Sequence, residues 1–144
     1  MASSTSTAAE SATVYLKSPS DWTRWLALIK TRAANNHLWR YIDPQVKEPP
    51  QFSEPIKPTP SSYTTANTTS TTTASLTPEQ FQRYSVDIQA WQEETRIYWK
   101  KQKVMTEIED HIIRTAGAYW STIEDATGVH ARLIKLQERV APTN

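Results

Sequence analysis

An all-α fold is predicted for this chain, a small helical bundle made of two helical segments. Apolar residues recur at three- and four-residue spacing in two stretches, residues 18–44 and 77–141, as they do along one face of a helix. Each stretch opens with a hydroxyl residue followed by proline, which is typical of a helix N-terminus. Residues 45–76 between them are rich in Pro, Thr and Ser without an apolar period, which predicts a disordered linker.

The N-terminal helical hook is predicted over residues 18–44. Residues 1–17 are small and polar, with too little apolar surface to offset chain entropy, and are expected to be a disordered tail. Ser18 is the expected N-cap, Pro19 suits the first turn, and Asp21 suits the reciprocal capping position. One face of the helix that follows carries Trp22, Trp25, Leu26, Ile29 and Ala33.

A break and a short helical turn complete this hook. Asn35 and Asn36 suit a helix end. The turn after them is apolar and carries Leu38, Trp39, Tyr41 and Ile42. Asp43 is expected to end it, because the residue before a proline is disfavoured in the helical conformation.

The C-terminal helical region is predicted over residues 77–141. Thr77, Pro78 and Gln80 repeat the signal of a helix start. A heptad-like stripe follows through Tyr84, Ile88, Trp91, Tyr98, Met105 and Ile112. Polar residues interrupt this stripe at Thr95, Gln102 and Glu109, which argues against a long coiled coil.

Two glycines divide the remainder of this region. Gly117 is expected to end the long helix, and Gly128 to end a short helix that carries Tyr119, Trp120 and Ile123. A last helix is expected to place Val129, Leu133, Leu136 and Val140 on its apolar side. Its opposite, polar side is expected to carry Arg132, Lys135, Glu138 and Arg139.

Composition excludes several classes of function. The chain has no cysteine, so disulfides, thiolate metal sites and cysteine nucleophiles are excluded. Its net charge of +1 gives no overall attraction to nucleic acid. Residues 1–13 lack the apolar stretch of a secretory signal, and no later stretch approaches a membrane span. These observations predict a cytoplasmic protein that does not use a membrane.

The titratable residues form no catalytic pattern in the sequence. His37, His111 and His130 are the imidazoles, and none lies at a spacing typical of a metal pair or of a serine nucleophile. Acidic pairs such as Glu93 and Glu94 interleave with Lys and Arg, as on a solvated helix face. We therefore expect no enzyme activity, catalytic residue, cofactor, metal or small-molecule substrate.

One basic patch is the candidate for nucleic-acid contact, and its members are Arg96, Lys100, Lys101 and Lys103. Trp91, Tyr98 and Trp99 interleave with it, as aromatic residues do where bases stack. The competing interpretation is an ordinary basic helix face, because Glu93 and Glu107 flank the patch and weaken its field. RNA binding by this patch is the alternative function.

The aromatic residues of both segments suit either core or interface positions. Trp22, Trp25 and Trp39 fit the core of a small domain, and an exposed aromatic cage or peptide groove is the competing interpretation. The candidates for structural or interface positions are Trp22, Trp25, Trp39, Tyr41, Ile42, Trp91, Tyr98, Trp99 and Trp120.

The order of these pieces resembles the N-terminal, capsid-like part of Gag polyproteins from fungal copia-type LTR retrotransposons. The resemblance begins with the Trp-containing helix that leads into LWRYIDP at residues 38–44. It continues through the proline-rich linker, LTPEQFQRY at residues 76–84, the aromatic long helix with residues 112–115, and LIKLQERVAPT at residues 133–143.

This resemblance implies a helical structural protein that self-associates, with copies of itself or with related Gag proteins, into virus-like particles that enclose RNA. It implies no active site, and it makes the hook aromatics structural positions. Gag proteins of this kind usually continue into further helices, so a Gag-like protein or a truncated remnant is expected. A host protein-interaction adaptor, with the linker as a spacer, is a further hypothesis.

Overall fold

The computed structural model describes residues 13–64 and 72–142. These residues form two compact units: the first comprises residues 13–51 and 103–142, and the second comprises the described part of residues 52–102. In sequence, the second unit is therefore inserted between the two parts of the first. The disorder expected for residues 1–12 and for the Thr-rich residues 65–71 concerns positions outside the described residues.

The regular structure of the described residues consists of helices and short 3-10 turns, without a strand. The helices are α1 (Trp22–Asn35), α2 (Trp39–Ile42), α3 (Pro78–Thr115), α4 (Trp120–Ile123) and α5 (Val129–Val140). The 3-10 turns are Pro19–Asp21, Pro60–Tyr63, Thr73–Ser75 and Gly117–Tyr119. The prediction of an all-α protein is confirmed at this level. Across the described helices, none has the length and apolar character needed to span a bilayer.

The start of α1 uses the predicted signal. The Asp21 carboxylate accepts the backbone N–H of Lys17 at 3.1 Å and that of Ser18 at 3.2 Å, which satisfies two donors ahead of the helix. The predicted apolar face is buried at Trp22, Trp25, Ile29 and Ala33. Its remaining member, Leu26, is half-buried.

The end of α1 depends on a residue that the sequence analysis did not identify. His37 has a φ of 59°. Its N–H donates to the Ala34 carbonyl at 3.0 Å, and the Leu38 N–H donates to the Ala33 carbonyl at 2.7 Å. These two bonds form a Schellman motif, which closes a helix through one left-handed residue. The reversal turns Leu38 into the core, where it is fully buried.

The core of the first unit is built around Trp25. Its indole is fully buried, and the indole N–H donates to the Thr115 hydroxyl at 2.8 Å. That hydroxyl donates in turn to the His111 carbonyl at 2.6 Å, so the buried polar atoms are paired. The other large fully buried side chains are Leu16, Leu38, Ile42, Ile108, Ile112, Ile123, Leu133, Leu136 and Val140.

Leu16 belongs to the stretch expected to be a disordered tail, yet it is part of this core. Its side chain is fully buried, and its N–H donates to the Thr115 carbonyl at 2.8 Å. Gly117, the predicted terminator of α3, lies at the same place with a φ of 59°, and a Cβ on it would lie 3.2 Å from the Leu16 carbonyl oxygen. The Leu16 side chain and its backbone hydrogen bond therefore tie this part of the chain to the core.

The amphipathic prediction for α5 is confirmed on its apolar side, where Val129, Leu133, Leu136 and Val140 are buried. It is wrong for Arg132, which is 9% exposed rather than on a solvated face. The Arg132 guanidinium donates through Nη1 to the Ile123 carbonyl at 2.9 Å and lies 5.5 Å from the Trp120 ring centroid. The end of α4 thus presents a carbonyl and an aromatic face to the guanidinium, and the Glu109 carboxylate lies 3.9 Å from its Nε as the counter-charge.

A disordered linker over residues 45–76 is not confirmed. The first residues of this range bond to α5: Gln45 Nε2 donates to Gln137 Oε1 at 2.8 Å, next to the last hook residue, Pro44, whose carbonyl accepts from Gln137 Nε2 at 3.4 Å. His130 Nε2 lies 2.7 Å from the Val46 carbonyl oxygen. These are contacts within the first unit.

The start of α3 in the second unit uses its predicted capping residues. The Thr77 N–H donates to Gln80 Oε1 at 2.9 Å, and the Gln80 N–H donates to Thr77 Oγ1 at 3.2 Å. This is the reciprocal capping box expected from the sequence, with Pro78 at the first helical position.

Candidate interaction surfaces

Three aromatic residues of α3 form what we call the aromatic stripe: Tyr84, Trp91 and Tyr98. They follow one another at seven-residue spacing, so they lie on the same side of the helix. All three are half-buried. They are covered by the proline-rich segment, residues 52–63, which the sequence analysis assigned to the linker. Both partners belong to the second unit.

The first contact of the proline-rich segment is a ring stack. The Phe52 ring lies on the Tyr98 ring, with centroids 4.8 Å apart and an interplanar angle of 19°. Aromatic pairs of this kind contribute about 0.5–1.5 kcal/mol beyond the burial of their area. Phe52 therefore anchors one end of the segment.

The middle contact centres on Trp91. Its indole N–H donates to the Pro55 carbonyl at 3.4 Å, and the Lys57 ammonium lies 5.4 Å from the indole ring centroid. The proline carbonyl is free to accept because residues 51–59 form no helix or strand. Trp91 thus contacts both the Pro55 carbonyl and the Lys57 ammonium, which lie two residues apart in the chain.

The last contact lies in the Pro60–Tyr63 turn. The Tyr63 ring meets the Tyr84 ring edge to face, with centroids 5.5 Å apart, and the Tyr63 hydroxyl donates to Asp87 Oδ2 at 2.5 Å. Bonding to this carboxylate, aided by burial and by the Asp87 charge, raises the pKa of the Tyr63 phenol above its ordinary value. The segment therefore runs antiparallel to α3: its first residue, Phe52, contacts the last stripe residue, Tyr98, and its last residue, Tyr63, contacts the first, Tyr84.

The proline-rich segment is the main feature that sequence reasoning missed. Proline has no N–H and gives no apolar period, so the composition indicates a linker. The available signal was the pair of aromatic residues at its two ends, Phe52 and Tyr63, which match aromatic residues in the following helix.

The basic patch lies on α3, where Lys100 and Lys103 follow Arg96 by four and seven residues and so share a side of the helix. Arg96 pairs with Glu93: Nη2 lies 2.6 Å from Oε1, and Nε lies 3.1 Å from Oε2. This pairing lowers the pKa of the Glu93 carboxyl. The remaining member, Lys101, is half-buried and lies on a different side of the helix. The structure thus aligns three of the four cations and pairs one of them internally.

The tryptophans of the hook divide between core and surface. The rings of Trp22 and Trp25 stack with centroids 5.6 Å apart, and both residues are buried, as is Ile42. Trp39 and Tyr41 are half-buried, with the Lys30 ammonium 5.6 Å from the Trp39 ring centroid. The three hook tryptophans do not form an exposed aromatic cage.

Two of the interface candidates stay open to solvent on helices of different units. Trp99 is 53% exposed and Trp120 is 38% exposed. Phe81 is 49% exposed and lies five helical turns before Trp99, so both rings lie on the same side of α3, about 27 Å apart. We call this side the Phe81–Trp99 face; the half-buried Ile88 lies between them.

The three histidines lie at different places in the structure and do not form a common site. His37 ends α1, His130 lies against Val46, and His111 is half-buried on α3. Burial lowers the pKa of His111, and Arg114 and Arg32 add to this shift. Within residues 13–64 and 72–142, no three His, Asp or Glu residues are grouped so that they could hold a metal ion.

Comparison with known proteins gives no relative from which a role could be transferred. No protein-family model, no curated protein and no solved structure matches this chain.

Proposed function

We propose that this chain is a Gag-like structural protein, acting in the cytoplasm, that self-associates through a helical face. The observation that carries the proposal is the Phe81–Trp99 face, where two large aromatic residues are about half exposed on one side of α3. Aromatic residues of this kind are enriched at the centres of protein interfaces. The partner is a second copy of the chain or a related Gag protein.

Two further observations support this proposal. The regular structure of the described residues is helical, which is compatible with the resemblance to copia-type Gag. The buried polar groups at the centre of the first unit bond to each other: the Trp25 indole N–H to the Thr115 hydroxyl, and that hydroxyl to the His111 carbonyl. The Phe81–Trp99 face belongs to the second unit, takes no part in the core of the first unit, and has two exposed aromatic side chains.

The test is size-exclusion chromatography with multi-angle light scattering over a wide concentration range. The wild-type mass is expected to rise with concentration. A Phe81→Glu/Trp99→Glu variant is expected to show a much smaller rise of mass with concentration than the wild type, because a charge in an apolar interface is costly to bury. Ile56→Glu is the matched control, since Ile56 is 90% exposed but lies outside this face; this variant is expected to behave as wild type.

Two results would contradict the proposal: a wild-type chain that remains monomeric at every concentration, or a face variant that associates as strongly as wild type. The same runs with RNA examine the alternative function. Growth that occurs only with RNA, and is lost when Arg96, Lys100, Lys101 and Lys103 are replaced by Glu, would favour RNA binding by the basic patch.

A further inference from the structure

The contact between the proline-rich segment and the aromatic stripe has the chemistry of a ligand on a receptor. Three groups of the segment are recognised separately: the Phe52 ring by Tyr98, and the Pro55 carbonyl and the Lys57 ammonium by Trp91. Together they define a pattern of an aromatic ring, a backbone carbonyl three residues later and a cation two residues after that. In this chain the pattern is Phe-x-x-Pro-x-Lys, with Tyr63 as a second aromatic anchor. The exposed Ile56 in the middle of the pattern makes little contact, at 90% exposure.

The aromatic stripe has the features of a surface that binds extended, proline-containing chains. Proline-rich segments are stiff and lose little entropy on docking, and aromatic surfaces with an indole donor are their usual receptors. Here the receptor side chains project from one continuous helix at seven-residue spacing. The receptor is therefore held in place by α3 itself.

The covalent connection between segment and stripe takes no part in this contact. The bonded pairs are far apart in the chain: Tyr63 and Asp87 are separated by 24 residues, and Pro55 and Trp91 by 36 residues. The same groups can be supplied by another chain with the same sequence. An element that binds its own chain can be exchanged between identical chains, since each lost contact is replaced by an identical one.

We propose that the aromatic stripe is a binding site for the Phe-x-x-Pro-x-Lys segment of a second copy of this chain. Residues 52–63 of the same chain occupy the site as a tethered competitor. Exchange between two copies leaves two equivalent contacts in place of two internal ones. The two surfaces adjoin at one point, where the Tyr98 ring meets the Trp99 ring edge to face with centroids 5.1 Å apart. The binding of the segment by the stripe nevertheless does not depend on the proposed function.

The test separates donor from receiver, in full-length chains that also carry Phe81→Glu to weaken association through the other face. Trp99 is kept in both chains, because its ring contacts Tyr98 of the stripe. The receiver carries Phe52→Ala/Lys57→Ala and keeps the stripe. The donor carries Trp91→Ala/Tyr98→Ala and keeps the segment. The segment donor carries one dye of an energy-transfer pair and the receiver carries the other. Circular dichroism checks that each variant retains the helical signal of the parent chain.

Energy transfer is expected when donor and receiver are mixed, and it should be absent when two labelled samples of the same variant are mixed. A donor that also carries Phe52→Ala/Lys57→Ala is the matched control and is expected to give no transfer with the receiver. No transfer between a helical donor and a helical receiver would overturn the proposal. So would equal transfer from the control donor.

A synthetic peptide of residues 49–64 replaces the donor if the stripe substitutions disturb its helix. It is expected to bind the receiver about tenfold or more tightly than it binds the parent chain, because the parent holds its own segment at millimolar effective concentration. A peptide with Phe52 and Lys57 replaced by Ala should not bind the receiver. Equal binding of either peptide to both chains would overturn the proposal.

Discussion

At the scale of a residue, the left-handed backbone conformation of His37 costs stability. His37 is the non-glycine residue with a positive φ among those described, at 59°. A left-handed conformation costs an L-residue roughly 1–2 kcal/mol, whereas glycine adopts it freely. The Schellman bonds of Ala33 and Ala34 with the two residues after Asn36 nevertheless hold His37 there.

We predict that His37→Gly raises the free energy of unfolding by about 1 kcal/mol, because it relieves this cost and leaves the two Schellman bonds intact. Urea unfolding followed by circular dichroism measures the change. Asn36→Gly is the control: Asn36 has a φ of −108°, and its Nδ2 donates to the Arg32 carbonyl at 2.9 Å, so this variant should be less stable. A His37→Gly variant no more stable than wild type would show that the ring has compensating contacts.

The Tyr63 hydroxyl gives a second prediction, which concerns a single hydrogen bond. Bonding to Asp87 raises the Tyr63 pKa, so the contact is complete below the ordinary phenol pKa of about 10 and is lost as pH rises through the raised value. Asp87→Asn should bring the Tyr63 pKa down toward its ordinary value. NMR titration of ring-labelled tyrosine measures this, with the Tyr63 resonance assigned by Tyr63→Phe. An unchanged Tyr63 pKa in Asp87→Asn would exclude the bond in solution.

At the scale of elements, the sequence predicts where a helix begins or ends better than it predicts which residues of other elements the helix contacts. The capping pair Thr77 and Gln80 and the terminator Gly117 act through neighbours in the chain, so their roles can be read locally. The burial of Arg132 depends on a carbonyl and an indole in another element. A periodic pattern contains no information about such partners, and it assigns a charged residue to solvent.

The proline-rich segment makes the same point for an element without secondary structure. Its order comes from side chains that meet a helix many residues later, as Phe52 meets Tyr98. Composition describes the local freedom of the backbone and says nothing about such contacts. For the candidate site, the sequence therefore identified Trp91, Tyr98 and the seven-residue stripe, but not the segment that covers them.

At the scale of the whole molecule, the titration of His111 links stability to pH. Burial and the nearby Arg114 and Arg32 lower its pKa, so the folded chain prefers the neutral ring. The unfolded chain takes up a proton at about pH 6.5, before the folded chain does. The contribution of His111 to stability is therefore complete above that pH and is lost as pH falls toward the lower folded pKa.

We predict that the urea midpoint of the wild type is lower at pH 5.5 than at pH 7.5, and that His111→Gln reduces this difference. The comparison stays above the usual carboxyl range of about pH 4, so the lowered Glu93 pKa does not dominate it. Unfolding curves at the two pH values, for both chains, give the measurement. An equal fall in both chains would assign the pH dependence to other groups.

The insertion of residues 52–102 between the two parts of the first unit has a consequence for synthesis on the ribosome. The hook residues Trp25 and Leu38 are buried in the same unit as Leu133 and Leu136 of α5, and α5 is made roughly 100 residues later. At translation rates of about 5–20 residues per second, these apolar side chains wait on the order of 5–20 s for their partners. During that interval the apolar side chains of the hook lack these partners, whereas the proline-rich segment needs only α3 to emerge before it can dock.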